Sequence, residues 1–216
     1  GGQELTRRVI AMEAGVDLQR LKVGALSEDE WYMVADASDS IKSMSLNLYV
    51  DSNVTISNIK NMAMAEKRNG RLDLLVVDYL QLMNIEAFMR NEKRERQIGD
   101  ISMKLKALSI ELDIPIIVLS QLNRELEKRA DKRPIPSDLR ESGGIEQDAD
   151  IILMLYRDEV YNPHSQDAGL AELLVRKHRN GPTGEIKLIF DASITKFRNI
   201  QMQSYQYANI KGRDAK

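Results

Sequence analysis

Cysteine is absent from all 216 residues, which excludes disulfides and thiolate metal sites. Only two histidines occur, His164 and His178, too far apart to suggest a structural zinc site. No apolar run approaches the roughly 18 to 20 residues that a membrane-spanning helix needs, and no charged, apolar, small-residue leader stands ahead of residue 30. These absences predict a cytoplasmic protein without a membrane partner. A surplus of positive charge is missing as well: the net charge is −2, so any surface for nucleic acid has to be local. What remains, 43% hydrophobic and 30% charged residues, is the composition of a soluble globular chain able to bury one substantial core.

The chain is organised around Leu72 to Met83. Leu74 to Val77 form an unbroken apolar run ending on Asp78, the pattern of a strand covered on both faces in a mainly parallel sheet. Ligands of such sheets bind beyond the carboxyl ends of the strands, which places Asp78 at a site. Four apolar residues and then Asp is also how a Walker B strand reads, its carboxylate holding Mg²⁺, usually through water, beside a nucleotide's phosphates. A core strand whose Asp caps the next turn would look the same.

Ahead of that stretch, Leu5, Val9 and Met12 recur at helical spacing, with Gly15 placed to stop the helix. Ser27-Glu28-Asp29-Glu30 fits a capping box, so a helix is expected from about Glu28 to Met44, with Trp31 as a core anchor. Leu46, Leu48 and Val50 alternate with Asn47 and Tyr49, which predicts a strand. A helix capped by Thr55 or Ser57 should end at Gly70.

Behind Asp78, Ile101, Leu105, Leu108 and Leu112 predict a second long helix. Pro115 to Gln121 and Ile151 to Tyr156 read as further apolar strands, separated by an exposed segment at 122–144 with room for two short helices. Strands from about Leu170 to Lys177 and from Glu185 to Phe190 flank the turn Asn180-Gly181-Pro182-Thr183-Gly184, and 194–200 adds an edge strand. The expected organisation is an α/β domain over residues 1–200, doubly wound with a carboxy-terminal antiparallel β extension, and a polar tail at 201–216.

Two further groups carry chemistry. Gln121, at the end of its strand, can donate and accept at once, which suits a group that senses a γ-phosphate or positions water; a cap on the following helix is the alternative. Lys177 and Arg179 point the same way just before the tight turn and can reach a triphosphate, or form an ordinary solvated hairpin end. The glycine-rich phosphate cradle does not occur: there is no Gly-Lys pair anywhere in the chain. Asp78 is followed by Tyr79, not Glu, so a hydrolytic base has to lie elsewhere.

Several segments occur in one order: Val76-Val77-Asp78-Tyr79-Leu80-Gln81-Leu82, Leu119-Ser120-Gln121-Leu122-Asn123-Arg124, Asp131-Lys132-Arg133-Pro134, Ser137-Asp138-Leu139-Arg140-Glu141-Ser142-Gly143, Ile145-Glu146-Gln147-Asp148-Ala149-Asp150, Leu155-Tyr156-Arg157-Asp158-Glu159-Val160-Tyr161 and Arg179-Asn180-Gly181-Pro182. Together they strongly resemble the carboxy-terminal RecA-like motor domain of the DnaB-family bacterial replicative helicases, from about Leu5 to Asn199.

The resemblance implies a three-layer RecA-like P-loop NTPase core with its amino-terminal strands missing. It also implies a homo-hexameric ring that encircles single-stranded DNA, moves 5′ to 3′ on ATP and Mg²⁺ bound between subunits, and works with a primase and a helicase loader. Under it, Asp78 is the Walker B carboxylate and metal-side group, Gln121 the sensor, Lys177 and Arg179 the cations that reach a neighbour's ATP, with Arg179 the arginine finger. Arg140, Glu141 and Gly143 match a loop that touches the DNA backbone, contacts that carry no base information. The Walker A segment and the strand ending in the catalytic glutamate would lie upstream of residue 1, so the chain alone is expected neither to hydrolyse ATP nor to unwind DNA. A non-catalytic RecA-like module that binds DNA or a helicase is the alternative. Gly144 stands where many relatives have Ser.

Overall fold

The computed structural model describes residues 2–51, 53–139 and 143–200, so the tail expected at 201–216 lies outside the described residues. The described residues form two compact units, one within Gly1–Val50, Leu155–Leu173 and Glu185–Lys216, the other within Asp51–Met154 and Leu174–Gly184. No helix among the described residues is long and apolar enough to cross a membrane.

In the first unit, α1 (Gly2–Ala14), α2 (Leu18–Val23) and α3 (Glu28–Ser43) pack through Ala11, Ala14, Val16, Leu18 and Ala37. Gly15 ends α1 at φ +70°, a left-handed conformation that glycine adopts without steric cost. The α3 capping box forms as read: Ser27 Oγ accepts from Glu30 N–H at 3.3 Å, and Glu30 Oε2 accepts from Ser27 N–H at 2.7 Å. Arg20 forks onto the same carboxylate at 2.6 and 2.7 Å. These contacts hold the Glu30 carboxyl below its usual range, the Ser27 backbone hydrogen bond being the largest cause.

Two expectations fail in this unit. Trp31 is 46% exposed rather than a core anchor, because the inward stripe of α3 runs through Val34, Ala37 and Ile41 and places Glu30, not Trp31, in its first turn. Leu46 to Val50 form no strand and are exposed. Alternation supplies two faces but no ladder partner, and without one a strand is not stable.

The second unit is built on β1 (Leu75–Val77) and β2 (Ile116–Val118), paired in parallel with Leu75 opposite Ile116 and Val77 opposite Val118. Helices α4 (Ile56–Arg68) and α5 (Arg94–Leu112) share one core with this pair. Ile56, Ile59 and Ala63 of α4 meet Ile98, Ile101, Leu105, Leu108 and Leu112 of α5 over Val77 and Leu80. The four-three-four spacing read from the sequence is therefore the buried stripe of α5.

The strand expected to be covered on both faces is covered on one. Both helices share the core side, and Leu74, Val76, Ile117 and Leu119 are exposed on the other. Exposed contiguous apolar surface drives association. The double substitution Val76→Lys, Ile117→Glu should therefore reduce concentration-dependent light scattering of the 216-residue chain. It should leave the melting temperature within ~2 °C, as exposed substitutions do; a large drop would mean that this face is packed.

Helix α6 (Gly143–Asp148) crosses close to α5. A Cβ on Gly144 would fall 2.8 Å from the Gly99 backbone, so the two helices touch glycine to glycine. Gly144→Ser should cost about 1–3 kcal/mol in urea unfolding, because backbone rather than a flexible side chain has to give way.

The remaining strands, β3 (Ile151–Tyr156), β4 (Leu170–His178), β5 (Gly184–Asp191) and β6 (Lys196–Asn199), form a sheet in the order β3-β4-β5-β6. β5 and β6 are antiparallel, which places the expected edge strand at the edge. In the turn between β4 and β5, the His178 ring lies against Gly181, so a side chain at residue 181 would have to push that ring aside. Helices packed on one face of a parallel strand pair, followed by an antiparallel extension, bear out the α/β class.

Candidate functional site

Asp78 and Gln121 are brought together by the register of β1 and β2. The ladder continues past both strands: Leu119 N–H donates to Val77 O and Leu80 N–H to Leu119 O, each at 2.9 Å. The two carboxyl ends therefore finish level. Asp78, Tyr79, Leu119, Ser120 and Gln121 line an open cavity of about 320 Å³. Asp78 and Gln121 are exposed there, and the Asp78–Tyr79 peptide is cis.

Gln81, to which the sequence reading gave no role, joins the two strand ends. Its Nε2 donates to Ser120 Oγ at 2.9 Å and its Oε1 accepts from Gln121 N–H at 3.1 Å. The Gln81 carbonyl in turn accepts from Arg94 Nη2 at 2.8 Å, which ties it to the first turn of α5. The signal was available in the Asp-Tyr-Leu-Gln segment, where an amide three residues beyond the carboxylate can reach the adjacent strand. Gln81→Ala should lower any activity that depends on Gln121 by about tenfold, with a stability loss of about 1 kcal/mol for the lost hydrogen bonds. Kinetics and urea melts measure the two effects separately.

Lys177 and Arg179 do not line this cavity. They stand at the end of β4 against the carboxyl end of α6, where Lys177 Nζ donates to Glu146 O at 2.6 Å and to Gln147 O at 3.3 Å. Arg179 Nη2 donates to Gln147 O at 3.3 Å. Cations at a helix carboxyl end are favoured by its dipole and by its unsatisfied carbonyls. The Arg179 side chain remains 51% exposed, so it is held but not enclosed. Arg140 and Glu141 lie outside the described residues, and Gly143 is the first residue of α6.

No group of three or more metal-ligating side chains occurs among the described residues. A single carboxylate suits Mg²⁺, which keeps several waters and takes its other ligands from phosphate. The donor set at Asp78 fits that ion and not an all-protein metal site.

Residues 1–199 match the DnaB-like helicase C terminal domain. Among curated relatives, the replicative DNA helicase DnaB of Haemophilus influenzae is 46% identical over 205 residues, covering 93% of this chain and 43% of that protein. The DnaB of Geobacillus stearothermophilus is 38% identical over 199 residues, covering 92% and 44%. The chain thus spans less than half the length of these relatives.

Two solved structures agree, each with a TM-score of 0.89 at 36% identity over 93% of this chain. One is a DnaB-like replicative helicase described with its interactions with primase, 48% of which is covered; the other is an ATPase domain, 72% covered. Sequence match along almost the whole chain and closely shared architecture establish that this chain belongs to the DnaB-like helicase C terminal domain family.

Proposed function

We propose that this chain is the motor part of a hexameric replicative DNA helicase, which uses ATP to move 5′ to 3′ along single-stranded DNA and unwind the duplex at the fork. Residues 1–200 would form the motor domain and 201–216 a tail. The observation that carries the reading is the level pair of Asp78 and Gln121 over one cavity at the carboxyl ends of parallel strands, in a chain of this family.

The residues take distinct tasks. Asp78 would hold Mg²⁺, which when bound neutralises charge on the β- and γ-phosphates. Gln121 sits on the next strand end, where its amide can hydrogen-bond a γ-phosphate oxygen or a water and pass that state to the chain that follows it. Arg179, with Lys177, would reach the phosphates of ATP bound to a neighbouring copy, a charge that matters most in the transition state. Arg140, Glu141 and Gly143 would meet the DNA backbone, so affinity is sequence-independent and salt-dependent. The primase described with one solved relative supports a primase partner here, and the family resemblance supports a helicase loader.

Fork unwinding tests this. The whole protein should open a forked duplex carrying a 5′ tail in the presence of ATP, and should leave a substrate with only a 3′ tail intact. Unwinding from the 3′ tail alone would overturn the direction, and no unwinding of either substrate would overturn the motor.

The second reading, a RecA-like module that binds DNA or a helicase without catalysis, is favoured by the lack of a Gly-Lys phosphate cradle in these 216 residues. The 216-residue chain alone should accordingly show no ATP turnover above background. Turnover lost on Asp78→Asn would contradict this.

A further inference from the structure

The exposed Arg179 is tied twice to one residue. Its backbone N–H donates to the Asp150 carbonyl at 2.8 Å, and its Nη1 lies 3.1 Å from Asp150 Oδ1. The other carboxylate oxygen of Asp150 accepts from Lys106 Nζ, on α5, at 2.5 Å. Asp150 itself follows α6 and leads directly into β3. One carboxylate therefore joins the long core helix to the tip of the hairpin.

We infer that Asp150 is the positioning residue for Arg179: by gripping it at backbone and guanidinium, it presents the finger at a fixed point of the β4 tip, with Lys106 holding the carboxylate in turn. This deepens the proposed function and rests on the arginine-finger reading. The physical case has three parts. An arginine on a solvated hairpin end samples many rotamers, and two anchors on one partner remove most of that freedom before a phosphate arrives. The pair is about half exposed on both sides, so water screens it and a phosphate on a second copy can displace the carboxylate. When Arg179 leaves, Lys106 stays on Asp150, so no carboxylate is left without a counter-charge.

The charge pattern agrees. The Asp150 carboxyl is held below its ordinary range, chiefly by the Lys106 hydrogen bond and further by the charges of Lys106, Arg179 and Lys177. It is thus ionised at any pH where ATP hydrolysis would be measured.

The test is steady-state ATP hydrolysis by the whole protein carrying Asp150→Asn, Asp150→Glu, Lys106→Met, Arg179→Ala or the double change Asp150→Asn, Arg179→Ala. Asp150→Asn should lower kcat about tenfold with KM for ATP and the melting temperature nearly unchanged, because a half-exposed pair adds little to folding. Asp150→Glu should recover at least half of that loss, and Lys106→Met should cost about threefold in kcat. The double variant should be no slower than Arg179→Ala alone, since Asp150 acts only through Arg179.

If Asp150→Asn turns over within twofold of wild type while Arg179→Ala is dead, the positioning role falls and the finger stands. If Arg179→Ala turns over normally, the finger reading itself falls. Should Asp150→Asn fail to fold, Lys106→Met at the wild-type rate with an unchanged melting temperature would still overturn the proposal.

Discussion

Arg179→Ala in the whole protein should cut ATP hydrolysis by about 1,000-fold or more while leaving nucleotide affinity within about threefold, because a finger acts mainly on transition-state charge. The structure explains why little else should change. The Arg179 side chain is half exposed and its tethers are surface contacts, so truncation opens no cavity and orphans no buried charge. Equilibrium binding of a fluorescent ATP analogue and a coupled hydrolysis assay measure the two quantities. A parallel loss of affinity would mean that Arg179 serves ground-state binding instead.

Asp78→Asn should be nearly as severe for a different reason. The substitution keeps the size and the hydrogen-bonding reach of the side chain and removes the charge that would face Mg²⁺, so hydrolysis should fall at least ~100-fold. Asp78 is exposed at the rim of its cavity, so the fold should not notice. The two variants also complement each other if ATP sites lie between copies. Mixed subunits of Arg179→Ala and Asp78→Asn should regain activity that neither has alone, because each mixed interface can pair an intact Asp78 with a neighbour's intact Arg179. A mixture as dead as its components would show that both residues serve the same subunit's site.

Much of the site could be read without coordinates because strand ends are legible. A short apolar run stopped by a polar residue marks both a buried strand and its carboxyl end, and parallel pairing brings such ends level. That reasoning offered three polar strand ends for one edge, at Asp78, Gln121 and Tyr156; the first two meet over the cavity, whereas Tyr156 ends β3 in the other sheet. The same reasoning could not show that Gln81 bridges the first two, since a side chain reaching to another strand depends on register. Nor could it show that Asp150 and Lys106 stand behind Arg179, residues separated from it by tens of positions and brought together by direct side-chain contacts.

The failures share a cause. Trp31 follows directly on the α3 capping box and is expected inside, but which side of α3 faces inward is set by the small residues that α1 and α2 can accommodate. Leu46 to Val50 had strand alternation and no partner. The β1 and β2 run has the composition of a doubly covered strand, yet α4 and α5 both take the same side.

Local physics was enough for what depends on neighbours in the chain: helix starts at Ser27 and Thr55, the left-handed stop at Gly15, the buried stripe of α5 and the tight turn at Gly181. Dihedral preference, capping and period act within a few residues, so the order of amino acids alone decides them. Tertiary structure alone decided which faces are buried, which strand ends meet, and that Arg179 is held by a carboxylate linked to the core helix. Those outcomes depend on contacts between segments distant in the chain, whose energies no local pattern records.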